Sequence, residues 1–81
     1  MKSTVSADHT LDCSGHLCPA PILMTEEKMA AMRKTEVLEV LFTDPAAHAD
    51  LRAWCRMTAN EFLCSRIEGT QTRVLIRKAG A

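Results

Sequence analysis

Apolar residues recur along this chain at two different spacings, and those spacings set out six elements. Leu11 and Cys13 alternate with Asp12, which predicts a short strand, and Ser14-Gly15-His16 reads as a turn. From Cys18 the period lengthens. Ile22, Thr25, Met29 and Met32 fall on one stripe, flanked by Leu23 and Ala30, as in an amphipathic helix. Arg33 and Lys34 then stand near its negative end. Alternation returns in Val37–Phe42, with Glu39 facing out and Leu38, Val40 and Phe42 facing in. Asp44 and Pro45 open a second helix, Asp44 as its cap and Pro45 at the first helical position, where no N–H is needed. The inner face of that helix carries Ala47, Leu51, Trp54, Cys55 and Thr58, and Asn60 is placed to take the left-handed conformation at its end. Residues 62–68 and 71–77 form two further strands, joined by Gly69-Thr70, a tight-hairpin signal. Val74 and Ile76 alternate with Arg73 and Arg77, so one face of the sheet is polar.

The order β-α-β-α-β-β predicts an α+β fold. It is a two-layer α/β sandwich, a four-stranded mixed sheet with both helices on one face. Residues 1–9 read as a flexible N-terminal tail and 10–81 as a single domain. At 81 residues the core is thin, yet a hydrophobic share of 47% suffices for a globule. Ten basic residues balance ten acidic ones, so nothing draws the chain to nucleic acid or anionic lipid. Arg52, Arg56, Arg66, Arg73, Arg77 and Lys78 read as scattered solvated charges. Phe42, Trp54 and Phe62 are too few for a base-stacking platform. No apolar run approaches the ~20 residues needed to span a bilayer. The polar stretch from Met1 to Thr10 lacks the apolar core of a signal peptide. A cytoplasmic protein, with no membrane or direct nucleic-acid partner, is the expectation. In that compartment four cysteines point first to reactive thiols or metal rather than to disulfides.

Cys18-Pro19-Ala20-Pro21 is the segment that carries chemistry. With Cys18 as N-cap, Pro19 and Pro21 fall in the first helical turn, where proline is tolerated. Pro21 has no N–H, which leaves that of Ala20 as the donor for the Cys18 sulfur. The positive helix end and this donor both favour a thiolate, and a lowered pKa makes a better nucleophile at neutral pH. The bland reading is a buried, inert thiol at an ordinary proline-started helix. Cys13 lies five residues earlier across the turn; it is a possible resolving thiol, though a half-buried strand residue is the favoured reading. His16 stands two residues from Cys18, where it either supports the thiolate or, as is favoured, is a solvated turn residue. Cys55 is read as core, and Cys64 as a surface thiol on the wet face beside Arg66. His9, Cys13, His16 and Cys18 can be assembled into a zinc site on paper. No Cys-x-x-Cys pair supports it, so neither a metal nor a cofactor is expected. Met29 and Met32 are core, whereas Met24 points off the stripe beside the cysteine as a soft contact surface. Leu17 either docks a partner or folds back as a staple near Ile22 or Leu23.

Leu11-Asp12, Gly15 and Cys18-Pro19-Ala20-Pro21 resemble the signature of the TusA/SirA-like sulfur carriers. The similarity continues through Asp44-Pro45-Ala46, Trp54-Cys55, Asn60-Glu61 and Leu75-Ile76-Arg77-Lys78, covering roughly residues 10–80. The resemblance implies the same sandwich and a sulfur carrier, a sulfurtransferase-type protein without independent turnover. Cys18 would take sulfane sulfur as a persulfide, supported by Pro19, Ala20, Pro21 and Gly15. It also implies a donor protein (a cysteine desulfurase or a rhodanese-like protein) and a DsrE-type or similar acceptor. The pathways implied are tRNA thiolation, cofactor biosynthesis or sulfur oxidation. Thr35 and Ala59 stand where such proteins often carry glycine, so their helix ends are expected to close differently. The alternatives are a non-covalent interaction or regulatory module and a selenium-handling relative.

Overall fold

The most apolar strand lies inside the sheet. The computed structural model describes residues 6–17 and 19–79. Its elements run β1 (His9–Asp12), α1 (Ala20–Ala30), β2 (Val37–Phe42), α2 (Ala47–Thr58), β3 (Glu61–Glu68) and β4 (Gln71–Arg77), in the expected order. In space the strands lie β1-β2-β4-β3. β1 is parallel to β2, and the other two pairings are antiparallel, so the sheet is mixed as expected. The parallel pair is bridged by α1, because parallel neighbours need a long crossover.

Leu38, Val40 and Phe42 of β2 and Val74 and Ile76 of β4 face one side of the sheet. They share a core with Met29 of α1, Met32 just beyond it, and Ala47, Leu51 and Cys55 of α2. Both helices therefore cover the same face. Full burial of a large apolar side chain contributes about 1.5–3 kcal/mol, and this single cluster supplies most of what the fold has. The other face carries ions. Arg73 pairs with Glu39 at 3.0 Å, and Arg77 with Glu61 at 2.9 Å. Leu75 is nonetheless only 8% exposed among them.

A bulge in β3 sets which face Cys64 takes. Phe62 pairs with Ile76, but Cys64, not Leu63, pairs with Leu75. The extra residue shifts the alternation by one, so Phe62 packs on the core while Cys64 stays on the open face. Strict alternation would have put the two on one side. Gly69 has a φ of 65° and is the hairpin's only loop residue with positive φ, as a type II′ turn requires.

Several boundaries move from the expected places. The sheet begins at His9, and the Asp8 N–H already donates to the Val37 carbonyl at 2.8 Å, so the last two residues assigned to a tail belong to the domain. α1 starts at Ala20 with Pro19 as N-cap, not at Cys18, which lies outside the described residues. α2 is counted from Ala47, after a turn at Pro45-Ala46, with Ala46 rather than Asp44 as its N-cap and no side-chain capping bond. Asp44 instead braces the turn before the helix, its Oδ1 accepting from the Ala46 N–H at 3.0 Å. Ala59, not Asn60, takes the left-handed conformation, at φ 64°. The Asn60 side chain is drawn elsewhere, its Oδ1 accepting from the Ala79 N–H at 2.8 Å. Thr35 also has positive φ, 68°, in the turn between α1 and β2. Lacking glycine, the chain closes these corners in the left-handed conformation all the same, at a cost of about 1–2 kcal/mol per residue for a side chain with a Cβ. No helix among the described residues is long and apolar enough to cross a membrane.

Candidate functional site

The turn before α1 hangs from the ends of two strands. The Cys13 N–H donates to the Leu41 carbonyl at 2.6 Å, continuing the β1–β2 ladder by one step. Asp12 Oδ1 accepts from the Ser14 N–H at 2.9 Å, an Asx turn that reverses the chain. Hydrogen bonds from Ser14 hold the Asp12 carboxyl below its usual range. Gly15 has a φ of 84°, and a Cβ there would meet nothing, so glycine is present for its conformation rather than for space. Its N–H donates to Thr43 Oγ1 at 2.9 Å, and Gln71 Nε2 donates to Ser14 Oγ at 2.9 Å. Sequence reading found neither Thr43 nor Gln71. They lie 28 and 57 residues from their partners, and no periodicity signals such a contact.

Among the described residues, the first turn of α1 is closed by backbone groups. Pro19, at φ −95° and ψ 10°, is its N-cap, and no described side chain caps it. The Ala20 N–H, assigned to the Cys18 sulfur on sequence grounds, donates to the Leu17 carbonyl at 2.9 Å. The N–H groups of Ile22 and Leu23 both reach the Pro19 carbonyl at 3.1 Å. Pro21 is buried beneath the turn. No acidic residue stands in this first turn, so the positive end of α1 keeps its charge uncompensated by the helix's own side chains.

The surface around the turn is apolar. Leu17 is 73% exposed, which rules out the staple against Ile22 or Leu23. Leu23 is 58% exposed. Met24 is half-buried and packs against the core, so the exposed apolar residue of this helix turn is Leu23 rather than Met24. A helix pattern places the two only 100° apart, and the tilt of α1 on the sheet decides between them. His16 and Pro19 are exposed.

The other cysteines divide cleanly. Cys13 is fully buried, and burial together with the Asp12 carboxylate pushes its thiol up. It is a core residue, more buried than a half-buried strand residue and shut off from the attack a resolving thiol would make. Cys55 is 2% exposed and burial pushes its thiol up to about 11, in keeping with a core residue. Cys64 is exposed in a shallow groove with Arg66, Arg73 and Leu75 on the open face, next to Arg66 as expected. Among the described residues no cluster of three or more His, Cys, Asp or Glu is arranged to hold a metal ion.

Three kinds of likeness bear on this arrangement. The fold matches the crystal structure of a SirA-like protein from Desulfitobacterium hafniense with a TM-score of 0.72, at 20% sequence identity, over 88% of this chain and 97% of that one. In sequence, the chain is 40% identical over 80 residues to "Putative sulfur carrier protein YrkF" of Bacillus subtilis strain 168, covering 99% of this chain and 41% of that protein. It is likewise 40% identical over 75 residues to a "Putative sulfur carrier protein" of Aquifex aeolicus strain VF5, covering 93% of this chain and 38% of the relative. The chain thus spans about two fifths of the length of these two relatives. The family model described as "Sulfurtransferase TusA" matches residues 9–78, the stretch from the first residue of β1 to the residue after β4. The chain belongs to the TusA sulfurtransferase family.

Proposed function

We propose that this chain is a sulfur carrier in which Cys18 takes sulfane sulfur from a donor protein and hands it to an acceptor protein. The observation that carries the reading is the start of α1, immediately after Cys18. It is a helix N-terminus with no side-chain cap among the described residues, no acidic residue in its first turn, and an exposed Leu17 before it. Such an end favours an anion placed just before it. A thiolate is the only strongly nucleophilic form of cysteine, so the field acts directly on reactivity.

The Cys18 thiolate attacks the outer sulfur of a donor persulfide. An S–S bond forms at Cys18, the donor's S–S bond breaks, and the donor cysteine leaves as a thiolate. The second step mirrors the first: an acceptor thiolate attacks the outer sulfur on Cys18, and Cys18 leaves as a thiolate. One sulfur moves and nothing is oxidised or reduced overall. A cysteine desulfurase or rhodanese-like protein suits the first step and a DsrE-type protein the second. Pro19 and Pro21 limit the freedom of the segment that presents the sulfur, and exposed Leu17 offers an apolar contact of the size used by transient partners.

The test is to load the protein from a donor persulfide and map the added mass by peptide mass spectrometry. One extra sulfur on Cys18, absent in Cys18→Ser with the fold intact, is the expected outcome. Loading that persists in Cys18→Ser, on Cys64 for example, overturns the reading. A non-covalent module would keep its function in that variant. In the same assay Leu17→Ala is expected to slow transfer to a protein acceptor while leaving loading from a small persulfide donor and the melting temperature unchanged. A drop in stability with transfer intact would make Leu17 structural only.

A further inference from the structure

We infer that Thr43 and Gln71 are positioning residues for the loop that carries the reactive cysteine; the inference rests on the reading that Cys18 does the chemistry. Between the end of β1 and Leu17, the backbone N–H groups of four successive residues all have partners. Cys13 donates to Leu41 O at 2.6 Å, Ser14 to Asp12 Oδ1 at 2.9 Å, Gly15 to Thr43 Oγ1 at 2.9 Å and His16 to Cys13 O at 3.1 Å. Two of these close within the turn itself. The other two tie it to the end of β2 and the residue after. Gln71, the first residue of β4, adds a bond from its Nε2 to Ser14 Oγ at 2.9 Å. The turn is thus held from two sides by segments that are far away in sequence.

These bonds are poor candidates for a purely stabilising role. The Gly15–Thr43 bond is solvent-exposed, and water competes for such a bond, so its net contribution to stability is small. What they restrict is conformational freedom. Fixing a backbone residue costs conformational entropy, and an unpinned turn would have to meet that cost at each encounter with a partner thiol. A thiolate must also approach the outer sulfur along the S–S axis, so small displacements of the loop reduce the rate steeply. Thr43 sits one residue before Asp44. The β2–α2 connection therefore holds the cysteine loop with one side chain and braces its own turn before α2 with the next.

The experiment uses a Cys64→Ser background, in which Cys18 is the only cysteine not shown to be buried, and compares Thr43→Val, Thr43→Ser and Gln71→Leu. Three quantities are read: the alkylation rate of Cys18 by iodoacetamide across pH, hydrogen exchange at the Gly15 amide, and the melting temperature. Thr43→Val is expected to speed Gly15 exchange and to lower the Cys18 alkylation rate about 3–10-fold, the kinetic equivalent of one lost hydrogen bond. The melting temperature should move by no more than a few degrees. Thr43→Ser, which keeps the acceptor oxygen, should restore both readouts, and Gln71→Leu should give a smaller loss in the same direction. Faster Gly15 exchange with an unchanged alkylation rate, or no rescue by serine, overturns the inference. Alkylation needs no sulfur donor, so a failure of sulfur loading at Cys18 in the unmutated protein would be recognised separately.

Discussion

The two helices of this domain each follow a proline-bearing turn, but their beginnings are built in opposite ways. α2 is preceded by Asp44, buried, with a carboxylate oxygen on the Ala46 N–H, and Asp50 stands in its first turn. Negative charge is placed where the helix end is positive, the arrangement that stabilises a helix. α1 has neither feature. Backbone carbonyls of Leu17 and Pro19 accept from its first turn, which itself carries no acidic residue. The difference extends to the thiols. Cys55, inside α2, is held neutral by burial, whereas Cys18 stands just before the uncompensated end of α1. One helix start is completed for stability. The other is left open, and the charge that would complete it is the anion of the chemistry proposed here.

The largest effect expected of this contrast is on alkaline stability. Burial raises the Cys55 thiol from 9.0 in the absence of structure to about 11, and the Cys13 thiol moves the same way. The folded state keeps these protons where the unfolded chain loses them. The stabilisation is therefore complete below pH 9 and is lost as pH rises through the folded values. Urea unfolding should show a fall on the order of 2 kcal/mol between pH 9 and 11, shallower in Cys55→Val. A pH-independent stability across that window in both proteins would mean the core thiols are not held neutral.

A smaller effect is expected from freeing the turn before α2. Asp44→Ala removes the bond to the Ala46 N–H and should cost about 1 kcal/mol, a drop in melting temperature of about 4–8 °C for a domain of this size. Alkylation of Cys18 in the Cys64→Ser background should stay as it was. If reactivity falls with stability, the two helix starts are coupled and the division between them is false.

The smallest effect concerns the open pole itself. The alkylation midpoint of Cys18 is expected below the free value of ~8.5. Leu23→Glu brings a carboxylate into the exposed first turn of α1, where one charge acts with about 0.3–1 kcal/mol, so the midpoint should rise by about 0.2–0.7 pH unit. Leu23→Gln controls for the lost apolar surface. Equal midpoints for the two variants would show that the field of α1 does not reach the thiol.

Much of this molecule was determined by local pattern. The six elements and their order follow from the alternation at Val37–Phe42, the 3.6-residue stripe of α1, the Asp44-Pro45 start and the Gly69-Thr70 hairpin. Each of those depends on interactions within a few residues, which a sequence displays directly. The motif Cys18-Pro19-Ala20-Pro21 was visible for the same reason, because it is contiguous.

Other features depend on contacts that only the folded chain brings together. The bulge at Leu63 sends Cys64 to the open face, and no residue of β3 announces it, since the choice is made by pairing with β4. Ala59 and Thr35 adopt left-handed backbone that their side chains disfavour, because the following strands must start where the sheet already is. The Ala20 N–H reaches the Leu17 carbonyl, a backbone partner that the sequence pattern did not point to. Leu23 and Met24 exchanged exposure with the tilt of α1. Thr43 and Gln71 reach the cysteine loop across 28 and 57 residues. The elements and the candidate nucleophile were legible before folding, because both are encoded by neighbouring residues. The groups that surround the helix start were not, because hydrogen bonds and burial are settled by whichever distant residues the closed chain places within reach.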